Sequence, residues 1–294
     1  MKSIGMSFYK ACAGQLSGLG LRRFAAVNRL NELVLKLVKE RTAEVHGHKM
    51  FLDRQDSLDL SVNQIYEPFE TELVQRLIRP GDTVLDIGAN IGYYTLLFAR
   101  LVGGSGKVFA FEPDPENFAL LKRNVEINGY RNVTLVNAAV SRQSGRLKLY
   151  LSEENKGDHR IYASGEDRPS IEIAAVALDD YFVNNPAEVN FIKMDVQGAE
   201  GRVMQGMERL LKRCSACQII FEFWPLGMRR AGDEAKDVVK QLIRHGFTIH
   251  LIDEPQKRVL AVEPERLLEE FSVARGNQTN LLANRNIPAQ SALT

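Results

Sequence analysis

Residues 83–100 read TVLDIGANIGYYTLLFAR. Thr83 to Ile87 is a nearly continuous apolar run, the pattern of a central parallel strand covered on both faces. Gly88, Ala89, Asn90, Ile91 and Gly92 then turn the chain, and such small residues let a ligand lie against bare backbone. Tyr93 to Leu101 continues as a helix whose first amides point at the same turn. The spacing is neither the Gly-x-Gly-x-x-Gly of a dinucleotide site nor a phosphate loop ending in Gly-Lys-Ser/Thr. Asp86 stands immediately before the first glycine. A carboxylate there repels a pyrophosphate and suits a ligand carrying an ammonium and a sulfonium.

Downstream, Lys107 to Phe111 is a second strand, and it ends in Glu112-Pro113. In doubly wound sheets ligands bind beyond the carboxyl ends of strands, where an acid after the second strand accepts both hydroxyls of a ribose. The competing reading is a helix cap, which Pro115 also fits. Asn117 to Asn128 is a helix closed by Gly129, and Asn132 to Val140 is the third strand and its exit. Asn137, or the backbone near Ala138, reads the edge of an adenine ring, or else the strand simply ends there.

With these residues in view, DIGANIGYYT (86–95), FEPDPENF (111–118) and VNAAVS (136–141) resemble motifs of the class I S-adenosylmethionine-dependent methyltransferases. Together with IKMDVQGAE (192–200) and IIFEFWP (219–225), they resemble the FkbM family in particular, over roughly residues 45–285. The resemblance implies an α/β Rossmann-like fold: a mostly parallel seven-stranded sheet, its last strand reversed, with helices on both faces. It implies methyl transfer from S-adenosyl-L-methionine, most often to oxygen on a glycan or natural product. Asp86, Gly88, Asn90 and Gly92 would form the methionine-side loop, with Ala89 and Tyr94 beside them. Glu112, followed by Pro113, would take the ribose diol. Asp195 would lie at the end of the fourth strand, beside the transferring methyl.

The acceptor side is less sharply written. RLKLYL (146–151) and IEIAAV (171–176) are short alternating strands flanking a polar insertion, 152–170, centred on Asp158-His159-Arg160. Loops held on a rigid scaffold often supply acceptor contacts. His159 is either a general base, since histidine titrates near neutrality, or a solvated loop side chain. Val189 to Val196 is the fourth strand, and Gln197 and Glu200 follow Asp195 as further acceptor contacts. Cys217 to Trp224 is the fifth strand. Glu222 breaks its apolar run, as a base or hydrogen-bond acceptor in the acceptor pocket or as half of a structural ion pair. Trp224-Pro225 would form a pocket wall. Residues 233–245 form an amphipathic helix, and 247–252 and 279–283 the last two strands.

Composition bounds the rest. The chain has 294 residues, 45% apolar and 26% charged, with a net charge of +1. That is an ordinary globular composition without the basic field of a general nucleic-acid binder. Cys12, Cys214 and Cys217 make no disulfide framework, and a reducing cytoplasm fits best. The lone Cys214-x-x-Cys217 lacks a second pair to complete a zinc site, so no metal is expected. No apolar run of about 18 residues spans a membrane. Residues 1–41 carry eight Lys and Arg against two Glu, and 21–40 have helical periodicity. This helix docks on the main domain, or serves a membrane surface, a polyanion or a second subunit of a homo-oligomer. Between Thr42 and Asp59 a small hairpin is expected, with His46 and His48 on one strand face. The expected organisation is an N-terminal helical extension and lid over 1–80, the methyltransferase domain over 81–286, and a disordered tail over 287–294. The reading from a different class is a non-catalytic module or assembly subunit that holds S-adenosylmethionine without transferring its methyl.

Overall fold

In the computed structural model, residues 42–184 and 187–286 are described. The expected helix over 21–40 with its membrane or subunit role, Cys12 and the tail over 287–294 lie outside them. The chain divides into two compact units, 1–66 and 67–294.

In the first unit, β1 (Thr42–Val45) pairs antiparallel with β2 (His48–Phe51), as expected. His46 and Gly47, with φ of 47° and 75°, form the two-residue turn. This is the doubly left-handed geometry that such short hairpins prefer. His46 thus occupies the turn and His48 the strand, so they do not share a strand face. A short helix, α1 (Leu60–Asn63), follows, with the Asp56 carboxylate accepting from Leu60 N and Ser61 N at 2.9 and 3.1 Å.

The second unit opens with α2 (Pro68–Leu77), which stops before Pro80-Gly81 as expected. Its first amides are satisfied from a distance: Phe69 N and Glu70 N donate to the Glu254 carboxylate at 2.7 and 3.0 Å. An anion at a helix N-terminus answers both the orphan N–H groups and the helix dipole. Then come β3 (Thr83–Ile87), α3 (Tyr93–Val102), β4 (Lys107–Phe111), α4 (Pro115–Ile127) and β5 (Val133–Val136). The strand expected to run on to Val140 is broken after Val136. Residues 139–140 form β6, which joins β7 (Gly145–Tyr150) and β8 (Ser170–Val176) in a separate three-stranded sheet.

The chain continues through α5 (Leu178–Tyr181), β9 (Phe191–Met194), α6 (Glu200–Gln205), α7 (Glu208–Arg213) and β10 (Cys217–Phe223). It ends with α8 (Pro225–Arg230), α9 (Ala235–Arg244), β11 (Thr248–Asp253), β12 (Arg258–Ala261), α10 (Pro264–Glu270) and β13 (Thr279–Arg285). The main sheet has the order β12-β11-β13-β10-β9-β3-β4-β5. β13 runs antiparallel between β10 and β11, the reversed last strand expected. The expected seven strands are present, and β12 adds an eighth at the edge through a hairpin with β11.

Period-2 alternation splits the core. Leu85, Ile87, Ile192, Met194, Ile219 and Phe221 face a layer that includes Val203, Met204, Leu210, Val238 and Leu242 of α6, α7 and α9. The intervening residues of the strands face α3, where Phe98 packs edge-on to Phe191 at 5.8 Å. β3 has β4 on one side and β9 on the other. The chain winds outward from β3 to β5 and then returns to β9. The crevice of a doubly wound sheet opens at that reversal, beyond the carboxyl ends of β3 and β9.

Candidate active site

At that reversal the glycine turn is stitched to both neighbouring strands. Asp195 N donates to Ile87 O at 3.0 Å, and Gly88 N and Ala89 N both donate to Phe111 O, at 3.0 and 2.9 Å. Gly88 has φ of 85°, and a Cβ there would stand 2.0 Å from the carbonyl oxygen of Asp195. Gly92 has φ of 97°, and its Cβ would stand 2.7 Å from Leu121 Cδ1 of α4. The glycines were read as room for a ligand. On the side where a side chain would point, protein fills the space: one glycine lets the turn lie on the end of β9, the other lets α4 approach α3.

On the β4 side, Glu112 is buried and accepts from Asn90 N at 2.8 Å and Asp114 N at 2.9 Å. Burial pushes its carboxyl up to about 8 against those two bonds. Glu112 does not cap the following helix; Asp114 does, accepting from Asn117 N at 2.8 Å. This leaves Glu112 facing the turn. The adenine-edge donors fare differently. Asn137 Nδ2 donates to Glu112 O and Pro113 O at 2.8 and 3.2 Å, and Ala138 N to Val136 O at 3.0 Å. Both nitrogens are spent on the end of β4 and β5, so this segment is a strand terminus and neither nitrogen is free for a base edge.

Asp86 faces inward. It is 2% exposed and accepts from Thr95 Oγ1 at 2.5 Å, so it ties the strand to the first turn of α3. Burial raises its carboxyl to about 6. Its sheet partner is Lys193, a fully buried ammonium on β9. Lys193 Nζ lies 2.9 Å from Glu70 Oε1 and 3.9 Å from Glu67 Oε2. Burial alone would lower the lysine's pKa; Glu70, Glu67 and Asp195 outweigh it and hold it well above its ordinary value. Tyr94 OH donates to Glu67 Oε2 at 2.9 Å, and Lys193 sits 4.9 Å from the Tyr94 ring centroid. Tyr94 therefore points into this cluster.

Asp195 and Lys193 are two residues apart on one strand path and share a face. Gln197 Nε2 donates to Asp195 Oδ1 at 2.8 Å. Gln197 holds φ of 53°, and the loop is secured by Val196 N and Gly198 N, which donate to Glu200 Oε1 at 3.3 and 3.2 Å. On β10, Glu222 Oε1 accepts from Gln278 Nε2 at 2.9 Å. Burial, then the charges of Asp195 and Glu200, push Glu222 up to about 9, and burial pushes Glu200 up to about 8. Among the described residues Glu222 has no ion-pair partner. Asp195, Glu200 and Glu222 stand as a set of carboxyls at the ends of β9 and β10. Among the described residues no group of three or more His, Cys, Asp and Glu is arranged to hold a metal ion.

The insertion between β7 and β8 arches over this edge. Asn117 Nδ2 donates to Lys156 O at 3.0 Å, and a Cβ on Gly157 would stand 3.4 Å from Asn90 Nδ2. Tyr162 OH donates to Gln197 O at 2.7 Å, and the Arg160 guanidinium stacks over Trp224 at 5.1 Å. Arg160 and Arg168 both pair with Asp158, at 2.8 and 2.7 Å. Within the arch His159 Nδ1 accepts from Ser152 N at 2.9 Å, and its Nε2 lies 3.9 Å from Asp114 Oδ2. Burial lowers its pKa, opposed by Asp114. His159 is therefore buried at the α4 cap. Nδ1 is occupied, Nε2 has no hydrogen-bond partner among the described residues, and the charged neighbours of the ring are Asp114, Lys156, Asp158 and Arg168.

Residues 86–249 match the family model described as the Methyltransferase FkbM domain. The chain belongs to the FkbM methyltransferase family. A Methyltransferase 1 of Beauveria bassiana is 27% identical over 150 residues, covering 44% of this chain and 60% of that relative. The chain thus spans less than two thirds of that protein's length. The 31-O-demethyl-FK506 methyltransferase FkbM of Streptomyces tacrolimicus is 28% identical over 217 residues, covering 60% of this chain and 77% of the relative. The hexuronic acid methyltransferase AglP of Haloferax volcanii is 29% identical over 163 residues, covering 55% and 61%.

The crevice of this FkbM-family chain fits S-adenosylmethionine on its own terms. Asn90 Oδ1 and Glu222 Oε2 are buried acceptors without a hydrogen-bond partner among the described residues. Glu112 retains lone pairs beyond its two backbone bonds. Ribose hydroxyls and an ammonium supply donors, and a sulfonium supplies the positive charge that crowded carboxyls lack. Sequence reasoning missed Glu67, Glu70 and Lys193 as members of the site. The available signal was Lys193 itself, a lysine inside the otherwise apolar run FIKM.

Proposed function

We propose that this chain transfers a methyl group from S-adenosylmethionine to a hydroxyl oxygen of a glycan or natural product. The observation that carries the reading is the seam of Gly88 on Asp195, flanked by Glu112 on one side and Glu222 on the other. It provides a ribose acceptor and a set of carboxyls at opposite sides of one turn. The bound donor would supply an electrophilic methyl carbon activated by its sulfonium. Asn90, Glu112 and the turn would hold and orient the nucleoside. The arch over 152–162, secured to Asn117, Gln197 and Trp224, excludes water from that edge. An alcohol must lose its proton as its oxygen gains the methyl, and Asp195, or Glu222 once the donor's positive charge has ionised it, receives that proton. The names of two relatives, a 31-O-demethyl-FK506 methyltransferase and a hexuronic acid methyltransferase, support acceptors of these kinds.

The test is transfer of radiolabel from the donor into an isolated acceptor from extracts of the source's glycans and metabolites, with Asp195→Ala as the comparison. Label transfer by the wild type, lost in a folded Asp195→Ala protein, supports the reading. Tight donor binding with no transfer to any fraction returns the function to a binding module, and wild-type rates in the variant refute the role of Asp195.

A further inference from the structure

Among the acidic residues beside the turn, Glu67 and Asp195 are the partly exposed ones. Glu70, Asp86 and Lys193 are sealed, with side-chain exposure of 0% for Glu70 and 3% for Lys193. The Glu67 side chain is 22% exposed. Glu67 directly precedes α2 and belongs to no motif of the turn. Its oxygens accept from Tyr94 OH at 2.9 Å and Asn280 Nδ2 at 3.2 Å. Tyr94 lies in the first turn of α3, immediately after the glycine turn, and Asn280 pairs with Glu222 across β10 and β13. Glu67 therefore borders the beginning of α3 and the carboxyl ends of β9 and β10 at once.

Its backbone is held in an unusual state for a residue with a side chain, φ 43° and ψ 73°. Left-handed conformations are unfavourable for a non-glycine residue, and they persist where surrounding structure and function hold them. Here the strain turns the carboxyl back over Tyr94 while Pro68 starts the helix.

We propose that Glu67 receives the positively charged amino-acid end of the donor. The inference rests on the donor reading above and adds a residue outside the matched domain. A carboxylate has about four lone-pair sites. Tyr94 and Asn280 occupy two, and Lys193 at 3.9 Å is beyond hydrogen-bond reach. Two sites remain for an ammonium. The charges facing Glu67 are Glu70 from α2, Lys193 and Asp195 from β9 and its exit, and the phenol of Tyr94 from α3. Glu222 from β10 feels Glu67 in turn. Carboxyls outnumber the lysine, so without a ligand cation Glu67 holds its proton, pushed up to about 8 by burial and then by Glu70. A cation delivered beside it reverses that balance.

Calorimetry on the full chain tests this with S-adenosylmethionine, S-adenosylhomocysteine and 5′-methylthioadenosine. The last shares adenine, ribose and sulfur but has no ammonium. Repeating titrations in buffers of different ionisation enthalpy counts released protons. At pH 7 the wild type is expected to release protons on binding S-adenosylmethionine. Glu67→Gln is expected to weaken both amino-acid-bearing ligands at least tenfold and to lose most of that release, with 5′-methylthioadenosine unchanged within twofold. Wild-type affinity and proton release in Glu67→Gln would overturn the inference, as would an equal loss for 5′-methylthioadenosine. If Glu67→Gln does not fold by thermal melting, Glu67→Asp is read instead: it keeps the charge on a shorter arm, so weaker binding of the two amino-acid-bearing ligands with 5′-methylthioadenosine unchanged is expected, and wild-type affinity for all three overturns the inference. A wild type that binds none of the three ligands overturns the donor reading itself. A wild type that binds them while Glu67→Gln is unaffected overturns only the role of Glu67.

Discussion

The carbonyl oxygen of Asp195 lies 2.0 Å from where a Cβ on Gly88 would stand. Two motifs distant in sequence therefore meet backbone to backbone, and the position of Asp195 is set by the absence of a side chain at 88. Gly88→Ala is expected to push β9 away from the turn. Overpacking of this kind costs roughly 1–3 kcal/mol, and the positive φ adds about 1 kcal/mol or more. A lower melting temperature together with at least tenfold weaker donor binding would be the signature. A variant with wild-type affinity would separate the seam from the site.

Glu112 offers a second handle. Each hydrogen bond it accepts contributes roughly 0.5–1.5 kcal/mol while the carboxyl is neutral and roughly 1.5–3 kcal/mol once it is ionised. Glu112→Ala also frees the amides of Asn90 and Asp114. Donor affinity measured by calorimetry is expected to fall ten- to a hundredfold or more, with acceptor binding much less affected. An unchanged donor dissociation constant would remove Glu112 from the ribose role.

Buried Lys193 makes a sharper stability prediction. Removing one member of a buried ion pair strands its partner's charge and costs about 3–5 kcal/mol. Lys193→Met is expected to be strongly destabilised in chemical denaturation, because Glu70 and Asp86 lose their counterion. Lys193→Met combined with Glu70→Gln should recover much of that loss, since the stranded carboxylate is then gone. Equal instability of the double variant would mean that packing of the lysine stem, and not its charge, is what matters.

The pH dependence follows from the same groups. Glu67, Glu112 and Glu200 are raised to about 8 and Glu222 to about 9 from an ordinary 4.5. A carboxyl whose pKa is raised by folding binds its proton more tightly in the folded state. Its contribution is fully present below the unfolded value and is lost as pH rises through the folded one. The ligand-free chain is therefore expected to lose melting temperature between about pH 5 and pH 9. A cationic donor favours the ionised forms, so the rise in melting temperature on adding S-adenosylmethionine should grow over the same window. A ligand-free melting temperature that climbs from pH 5 to pH 9 would contradict this ordering.

Tyr162 OH to Gln197 O, at 2.7 Å, is one fastening of the arch. Tyr162→Phe removes that bond alone, at a cost of roughly 0.5–1.5 kcal/mol. Faster proteolytic cleavage within 152–170 is expected, with little change in global melting. Unchanged cleavage would assign the closure to the Arg160–Trp224 stack.

Much of this fold was legible in local chemistry. The apolar runs of β3, β4 and β10, the glycine stops after α4 and before β11, and the order of the five motifs all appear in the structure. Period-2 and helical spacing are properties of neighbouring residues, so a reader of the chain sees them. What the sequence left open has a common origin. Asn137 was read as a base contact or as a plain strand terminus; its hydrogens go to Glu112 and Pro113, partners fixed only once β4 and β5 are adjacent. His159 was read as a base, since histidine titrates near neutrality, or as a solvated loop side chain, and folding buries that side chain near Asp114. At Gly88 and Gly92 the sequence shows a bare backbone, and only the fold shows which protein atoms lie where a side chain would point.

By itself, then, the sequence determined the turn over 83–100, the strands that flank it and the family to which they belong. These follow from short-range patterns of apolar, small and acidic residues. Tertiary structure decided which carboxyls share one crevice. Asn280 bonds Glu70 across 210 residues at 2.6 Å, and Lys193 meets Glu70 and Glu67 only because β9 returns to lie beside β3. Burial then sets their charge states. Proton affinity in a crowded interior depends on neighbours brought together by the whole fold, and no local stretch of chain encodes it.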